Sequence, residues 1–158
     1  AVAIGFLVTA LWLWLGDRRD YTEESARQAT FHDAAIIGLW QVLALVPGIS
    51  RSGTTIAAGR WQGLSRSRAT HFSFLLSGPI IAGAGFSSLG RLVADSSAYP
   101  PLLLAVGFMA ALASGLMAIA GVLRFIERTS FWSFSVYLVI VAAALLAVSY
   151  VPGLSEAR

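Results

Sequence analysis

The chain contains no cysteine and no lysine, and it has few charged residues of either sign. Charged residues make up 12% of its 158 residues, about half of the share that is typical of soluble domains. Without cysteine, neither a disulfide nor a thiolate metal site can form. All eleven basic residues are arginines, and they are dispersed between apolar runs. This distribution excludes the basic stripe of a nucleic-acid-binding surface, so nucleic acid is not an expected partner.

Hydrophobic residues make up 57% of the chain. A soluble domain of this length could not bury so much apolar surface, which excludes a cytosolic enzyme, a secreted disulfide scaffold and a disordered chain. Long apolar runs are typical of helices that cross a bilayer. The composition therefore predicts an all-α fold, a polytopic membrane helix bundle.

The apolar segments divide this single membrane domain, residues 1–158, into a series of helices and links. Residues 1–15 form an apolar run without a charged leader, and we expect them to be the end of a span that begins upstream. Residues 16–33 are polar and are expected to form a solvated loop. Three full transmembrane helices are predicted over residues 69–90, 100–123 and 134–151.

Two shorter apolar segments flank a turn at Pro47 and Gly48. Residues 34–46 are too short to cross about 30 Å of hydrocarbon. We therefore predict a re-entrant helix hairpin over residues 34–68, which enters and leaves the membrane by the same face. The alternative is one continuous kinked span over residues 34–63, which would place two arginines in or near hydrocarbon.

The arginines also predict an orientation. With a re-entrant hairpin, one face of the membrane carries Arg18, Arg19, Arg27, Arg66, Arg68, Arg124 and Arg128. The opposite face carries only Arg91 and Arg158. Because cytoplasmic loops are enriched in basic residues, the first face is predicted to be cytoplasmic. The hairpin then enters from the cytoplasm, and the C-terminus lies outside.

Arg51 has the clearest functional signal, because an arginine inside a membrane domain is costly and marks a functional site by default. Its neighbours supply hydroxyl donors and glycines that allow close backbone approach: Ser50, Ser52, Thr54, Thr55, Gly48 and Gly53. A half-helix that begins near Ser52 would add the positive end of its dipole. These groups describe a cradle for an oxyanion, most naturally phosphate. A structural arginine that caps carbonyls at a tight turn is the alternative.

The stretches around this arginine are similar to a known family. They comprise residues 38–41 (GLWQ), Leu45, residues 47–56 (PGISRSGTTI) and residues 72–76 (FSFLL), followed by Pro79. Together they resemble the undecaprenyl-diphosphate phosphatase family, the bacitracin-resistance proteins, most strongly over residues 34–123. The resemblance implies a multi-pass enzyme of the bacterial inner membrane. Such an enzyme hydrolyses undecaprenyl diphosphate to undecaprenyl phosphate and phosphate, and so recycles the lipid carrier for cell-wall synthesis.

The resemblance also implies roles for individual residues and partners. Its second signature, carried over onto this chain, places the catalytic residues Ser50, Arg51 and Thr55 at the diphosphate. Residues expected to bind the substrate are Ser52, Gly53, Thr54, Gly48 and Gln41, although the family often has alanine at the position of Thr54. For Gln41, a helix-packing role is an equal alternative. The expected partners are undecaprenyl diphosphate and the membrane, with a homodimer as an open alternative.

Members of the family are built from two inverted repeats, each with a re-entrant hairpin and three spans. On this basis the chain contains one repeat, and the family's first repeat is not found in it. That first repeat carries a glutamate-rich signature that supplies acid–base or nucleophilic groups and a divalent metal site for Mg or Ca. Glu23 and Glu24 lie in the polar loop and do not match that signature, so no metal ligand is assigned here. Activity of this chain by itself is therefore doubtful.

Two other functions remain open. A polyprenyl-phosphate transporter or flippase also needs a phosphate-binding loop near the membrane midplane. A non-catalytic fragment would bind the lipid diphosphate without hydrolysing it. Release of phosphate by the purified protein separates the phosphatase from both alternatives, and a flipping assay in liposomes separates the two alternatives from each other.

Overall fold

The computed structural model describes residues 2–19, 22, 26, 28–94 and 100–150 of the chain. Within these residues the fold is all-α, which confirms the predicted class. The α-helices are α1 (Val2–Asp17), α2 (Phe31–Trp40), α3 (Arg51–Trp61), α4 (Arg66–Ala94), α5 (Pro101–Arg128) and α6 (Trp132–Tyr150). A 3-10 helix, Gln41–Leu45, follows α2 directly. Ala1, the loop acids Glu23 and Glu24, and residues 151–158 lie outside the described residues.

α4 and α5 are the helices that fit a membrane best. Their segments Arg66–Gly90 and Pro101–Ile126 are long and apolar enough to cross a bilayer. The side chains of α5 are exposed on every face of the helix over most of its length, including Leu102, Phe108 and Leu116. A helix that is apolar all round must be covered by protein or lipid. The bundle is therefore a membrane helix bundle, in agreement with the composition.

α1 and α6 form an antiparallel pair. Leu7, Trp14, Trp132 and Ile140 line one pocket between them. Because Asp17 at the end of α1 accepts from Ser130 just before α6, the start of α6 lies beside the end of α1. The apolar parts of both helices, Val2–Asp17 and Trp132–Val148, are shorter than those of α4 and α5. A complete third span over residues 134–151 therefore remains a prediction.

The chain reverses its direction between α2 and α3. α2 begins at Phe31 because Thr30 and Asp33 form a capping box, in which the Asp33 carboxylate accepts from Thr30 N at 2.7 Å. After the 3-10 helix and the turn, α3 packs back against α2, and the Trp40 and Trp61 ring centroids lie 4.7 Å apart. The structure thus has a helix hairpin in place of one continuous kinked helix. That this hairpin enters and leaves a membrane by one face remains a prediction.

α3 is the central helix of the buried core and packs against α1, α2 and α4. It runs parallel to α1, since Gly5 approaches Gly48 just before α3 and Gly16 approaches Arg60 near its end. It runs antiparallel to α4, where Gly59 packs on Ala69. The buried apolar core around it consists of Leu13, Ile37, Ile56, Ala57, Ala58, Leu64, Ala69, Ile126 and Phe131.

Arg60, at the C-terminal end of α3, is only 1% exposed. Its guanidinium donates from Nε to the Gly16 carbonyl at 3.3 Å and from Nη1 to the Leu64 carbonyl at 2.9 Å. Nη2 donates to the Arg19 carbonyl. The last carbonyls of a helix have no partner inside the helix, so Arg60 satisfies acceptors at the end of α1 and in the turn after α3. This arginine therefore joins elements that are far apart in sequence.

Asp17 and Arg66 tie together the same end of the bundle. Asp17 Oδ1 accepts from Arg66 Nε at 2.5 Å, and Asp17 Oδ2 accepts from the Ser130 hydroxyl at 2.5 Å. These bonds connect the end of α1, the start of α4 and the link before α6. The turn at Pro47 and Gly48 lies at the opposite end of α3, before its first residue.

Candidate functional site

The N-terminus of α3 is capped by Ser50. Its hydroxyl accepts from Gly53 N at 3.2 Å, while its carbonyl accepts from Thr54 N at 2.9 Å. A serine cap of this kind stabilises the first turn of a helix by roughly 1 kcal/mol. The backbone N–H groups of Arg51 and Ser52 have no hydrogen-bond partner among the described residues. Two amides at the positive end of the helix are therefore available to an anion.

Thr9 of α1 anchors this helix start. Its hydroxyl accepts from Ser50 N at 3.1 Å and donates to the Gly5 carbonyl at 2.9 Å. Thr9 is fully buried, and its Cγ2 would lie 2.4 Å from a β-carbon placed on Gly53. The close approach between α1 and α3 therefore requires glycine at position 53.

Gly48 makes the turn before α3. Its φ of +94° lies in the region that favours glycine, and a β-carbon there would lie 2.2 Å from the Val2 carbonyl oxygen. On the other side, a β-carbon on Gly5 would lie 2.4 Å from the Gly48 carbonyl carbon. The turn thus presses its backbone directly against the first turns of α1. This packing gives Gly48 a structural role, and a role in binding substrate remains a prediction.

Gly48→Ala is expected to destabilise the protein by about 2 kcal/mol or more, because it combines backbone strain with a clash against Val2. Gly78→Ala on α4 is the matched control, since a β-carbon there meets no atom within 4 Å. Reversible unfolding in detergent, followed by helical circular dichroism, measures both changes. Equal stabilities for the two variants would contradict the packing described here.

Arg51 is the first residue of α3, and its side chain is half-buried against α4. Nη1 of its guanidinium donates to the hydroxyl of Ser77. Ser77 is 6% exposed, and its hydroxyl donates in turn to the Ser73 carbonyl at 2.9 Å. The side chain of Arg51 therefore donates to a neutral hydroxyl. Among the described residues it neither caps a backbone carbonyl nor forms an ion pair.

Thr54 and Thr55 direct their hydroxyls to protein atoms. The Thr54 hydroxyl donates to the Ser50 carbonyl at 2.8 Å. The Thr55 hydroxyl lies 2.6 Å from that of Ser73, and within 3.1 Å of the Arg51 and Ser52 carbonyls. Both threonines are fully buried. Their expected roles at the substrate remain predictions, and a direct contact would require these hydroxyls to exchange partners.

A cavity of about 370 Å³ opens beside the N-terminus of α3. On one side it is bordered by Ser50, Ser52 and Gly53, and the two serine hydroxyls lie 3.4 Å apart. The other lining residues are Leu13, Ile56, Phe74, Val122, Ile126, Phe131, Phe134, Tyr137 and Leu138. The cavity thus has a small polar border and large apolar walls, and it is suited to an amphiphilic ligand with a polar end and an apolar chain.

The structure therefore divides the predicted site residues between two faces of α3. Ser50, Ser52 and Gly53 border the cavity, whereas Arg51 and Thr55 face α4. All five lie within the first turns of one helix, so the two faces are neighbours on the same helix.

Gln41 stands apart from this group. It begins the 3-10 helix, and its backbone N–H caps the end of α2. Its side chain is half-buried, and Oε1 has no hydrogen-bond partner within the described part of the chain. It does not line the serine-bordered cavity. Both interpretations of Gln41, substrate contact and helix packing, remain predictions.

The described residues do not fit the divalent metal that the sequence resemblance implies. In residues 2–19, 22, 26, 28–94 and 100–150, no group of three or more His, Cys, Asp or Glu side chains comes together. Asp17 is bonded to Arg66 and Ser130, and Asp33 is buried in the capping box of α2. Both acids lie at the end of the bundle remote from Arg51. We therefore assign no metal ligand and derive no step through a metal.

Ser73 and Ser77 were not predicted as members of the site, although the sequence carries a signal for them. The two serines are four residues apart and so share one face of α4. The pairs that meet across α3 and α4, Arg51 with Ser77 and Thr55 with Ser73, are each symmetric about Leu64 in the connecting turn. If α3 and α4 are treated as a helical hairpin that turns at Leu64, residues at equal distances from the turn lie opposite each other, which pairs Arg51 with Ser77 and Thr55 with Ser73.

Residues 1–144 match the family model described as bacitracin resistance protein BacA. A protein of Trichormus variabilis named undecaprenyl-diphosphatase is 39% identical over 150 residues, which cover 92% of this chain and 46% of that protein. Proteins of the same name from Gemmatimonas aurantiaca and Rubrobacter xylanophilus are 40% and 45% identical over 146 and 123 residues.

These alignments cover 92% and 77% of this chain, and 54% and 45% of the two proteins. The chain thus spans about half the length of the curated relatives that it matches. The family match, in contrast, extends over nearly all of the chain and includes the whole hairpin and the start of α3. The chain belongs to the bacitracin resistance protein BacA family.

Proposed function

We propose that this chain supplies the arginine- and serine-bearing part of an enzyme that hydrolyses undecaprenyl diphosphate to undecaprenyl phosphate and phosphate. The observation that carries the proposal is the start of α3, where two unpaired amides lie beside a serine-bordered apolar cavity and the Arg51 guanidinium lies on the neighbouring face of the same helix. The polar border suits a diphosphate, and the apolar walls suit an isoprenoid chain. The relatives named undecaprenyl-diphosphatase support the same substrate.

Hydrolysis breaks the bond between the terminal phosphorus and the bridging oxygen, and the oxygen of water forms the new bond to phosphorus. Negative charge is spread over the phosphoryl oxygens and grows on the leaving oxygen. The Arg51 guanidinium would stabilise this charge from the α4 side. The amides of Arg51 and Ser52, with the Ser52 hydroxyl, would do so from the helix end. No described residue is assigned as nucleophile or general base.

The proposal includes a membrane arrangement. The hairpin of α2 and α3 would enter a bacterial cytoplasmic membrane from the cytoplasmic face, and the C-terminus would lie outside, as the arginine distribution predicts. The start of α3 lies beside Ser77, eleven residues into α4, which is about 16 Å from the start of that helix. A site at this depth would meet the phosphate end of a lipid substrate near the middle of the bilayer.

A homodimer would cover part of the exposed faces of α4 and α5, and sedimentation in detergent tests this oligomeric state.

Phosphate release from purified full-length gene product, given undecaprenyl diphosphate in detergent micelles, tests the proposed function. We expect stoichiometric release of phosphate, and a kcat/KM that falls when the lipid is shortened to a single isoprene unit, because the apolar cavity is then unfilled. Transbilayer movement of the lipid without phosphate release would support a transporter instead. Binding without either activity would support a non-catalytic lipid-diphosphate-binding protein.

A further inference from the structure

Arg51 has one side-chain partner among the described residues, the hydroxyl of Ser77. A guanidinium has five N–H donors and no acceptor, so most of its donors remain available to a ligand. A carboxylate partner would cancel the positive charge of the arginine, whereas a hydroxyl leaves it intact. Ser77 thus holds the side chain without reducing its attraction for an anion.

The hydroxyl of Ser77 is itself fixed in direction. It donates its single hydrogen to the Ser73 carbonyl at 2.9 Å, one helical turn earlier. Its remaining lone pairs therefore face away from that carbonyl and towards α3, where Arg51 donates to them. Burial of Ser77 to 6% exposure removes competing water from this contact.

A second contact keeps the two helices in this register. One turn along, the hydroxyls of Thr55 and Ser73 meet at 2.6 Å. Two successive polar pairs, Arg51 with Ser77 and Thr55 with Ser73, thus connect antiparallel helices that otherwise meet through small and apolar residues. The Arg51 contact is part of the helix pairing and does not depend on a flexible loop.

We propose that Ser77 is a positioning residue that holds the Arg51 guanidinium ready to bind the terminal phosphate groups of the substrate. The inference rests on the proposed function, in which Arg51 contacts the diphosphate. An unrestrained arginine side chain loses much rotamer freedom when it binds phosphate. In this structure part of that freedom is already lost to the Ser77 contact, so binding and transition-state stabilisation both benefit.

The test compares Ser77→Ala with Ser77→Thr, which keeps a hydroxyl, and with Ser114→Ala. Ser114 is an exposed serine of α5 whose hydroxyl bonds only the Ala111 carbonyl, so its loss is a matched control. In full-length protein we measure the dissociation constant of inorganic pyrophosphate by calorimetry, and KM and kcat for undecaprenyl diphosphate. Ser77→Ala is expected to weaken pyrophosphate binding and to raise KM, each about tenfold, as the loss of one charge-assisted hydrogen bond predicts.

Ser77→Thr is expected to stay within about threefold of the wild type, and Ser114→Ala to be unchanged. A purely structural role for Ser77 would reduce the folded fraction and therefore kcat, but it would leave KM and the pyrophosphate dissociation constant as they are. Wild-type affinity in Ser77→Ala overturns the inference. So does tighter binding, because Ser77 would then hold Arg51 away from the anion.

The outcomes also separate this inference from the proposed function. If the wild type binds pyrophosphate but releases no phosphate from the lipid, the phosphatase proposal fails, and the pyrophosphate affinities alone decide the role of Ser77. If the wild type neither binds pyrophosphate nor releases phosphate from the lipid, both fail. Hydrolysis by the wild type with unchanged KM in Ser77→Ala refutes the positioning role alone.

Discussion

Arg51→Ala in the full-length gene product is expected to reduce hydrolysis of undecaprenyl diphosphate by about 10³-fold, which is the lower end of what a charge-stabilising arginine contributes to phosphoryl transfer. The physical reason is the position of Arg51 at the first residue of α3, where its charge adds to two unpaired amides and the helix dipole. Colorimetric phosphate release under saturating substrate measures the loss. Arg51→Lys is expected to keep only part of the activity, since lysine retains the charge but not the planar fork.

Arg124→Ala is the matched control for this experiment. Arg124 is an exposed arginine on α5, and no hydrogen bond or ion pair joins its side chain to other described residues. Its replacement changes the net charge by the same amount and should leave turnover unchanged. Near-normal turnover in Arg51→Ala, with an intact helical spectrum, would remove Arg51 from the active site and with it the main support for the proposed mechanism.

The second large effect concerns stability. Arg60→Met is expected to lower the free energy of unfolding by about 3–5 kcal/mol, because it removes the hydrogen bonds that the buried guanidinium donates to the carbonyls of Gly16, Arg19 and Leu64. Methionine keeps much of the apolar stem, so the change isolates the loss of the guanidinium. Reversible unfolding in detergent measures the difference, and KM of the remaining folded protein should stay near the wild-type value.

Arg18→Met provides the comparison for Arg60. Arg18 is exposed at the end of α1, where its guanidinium lies 3.7 Å from the ring centroid of Trp14. Its loss should change stability little, since an exposed contact of this kind contributes weakly. If the two variants unfold at the same denaturant concentration, the buried carbonyl contacts of Arg60 do not stabilise the bundle in the way described.

Much of the fold could be predicted from local sequence patterns. Apolar runs of more than twenty residues predict α4 and α5, because a membrane-spanning helix needs that length. Pro47 and Gly48 predict a reversal, and the structure has one there, with Gly48 at φ +94°. The half-helix expected to begin near Ser52 is α3, which begins one residue earlier, at Arg51.

Other features could not be read from local patterns. The local pattern predicts that Arg51, Ser52 and Thr55 form one cradle, whereas in the structure Arg51 and Thr55 face α4 and Ser52 borders the cavity. On a helix, neighbouring residues point about 100° apart, so nearness in sequence does not place side chains on one face. A continuous span over residues 34–63 would place Arg60 in or near hydrocarbon, whereas in the structure it is buried in protein and bonded to carbonyls of two other segments.

Local sequence patterns thus indicate the apolar surroundings of this protein, its helices and the candidate site around Arg51. These properties follow from composition and from interactions within one helical turn. The contact of Ser77 with Arg51 and the capping of α1 by Arg60 become visible only in the folded chain. Both contacts depend on how α1, α3 and α4 pack, and that packing is set by close approaches such as Gly59 against Ala69 and Gly53 against Thr9. Such approaches join residues that are distant in sequence, and no local pattern encodes them.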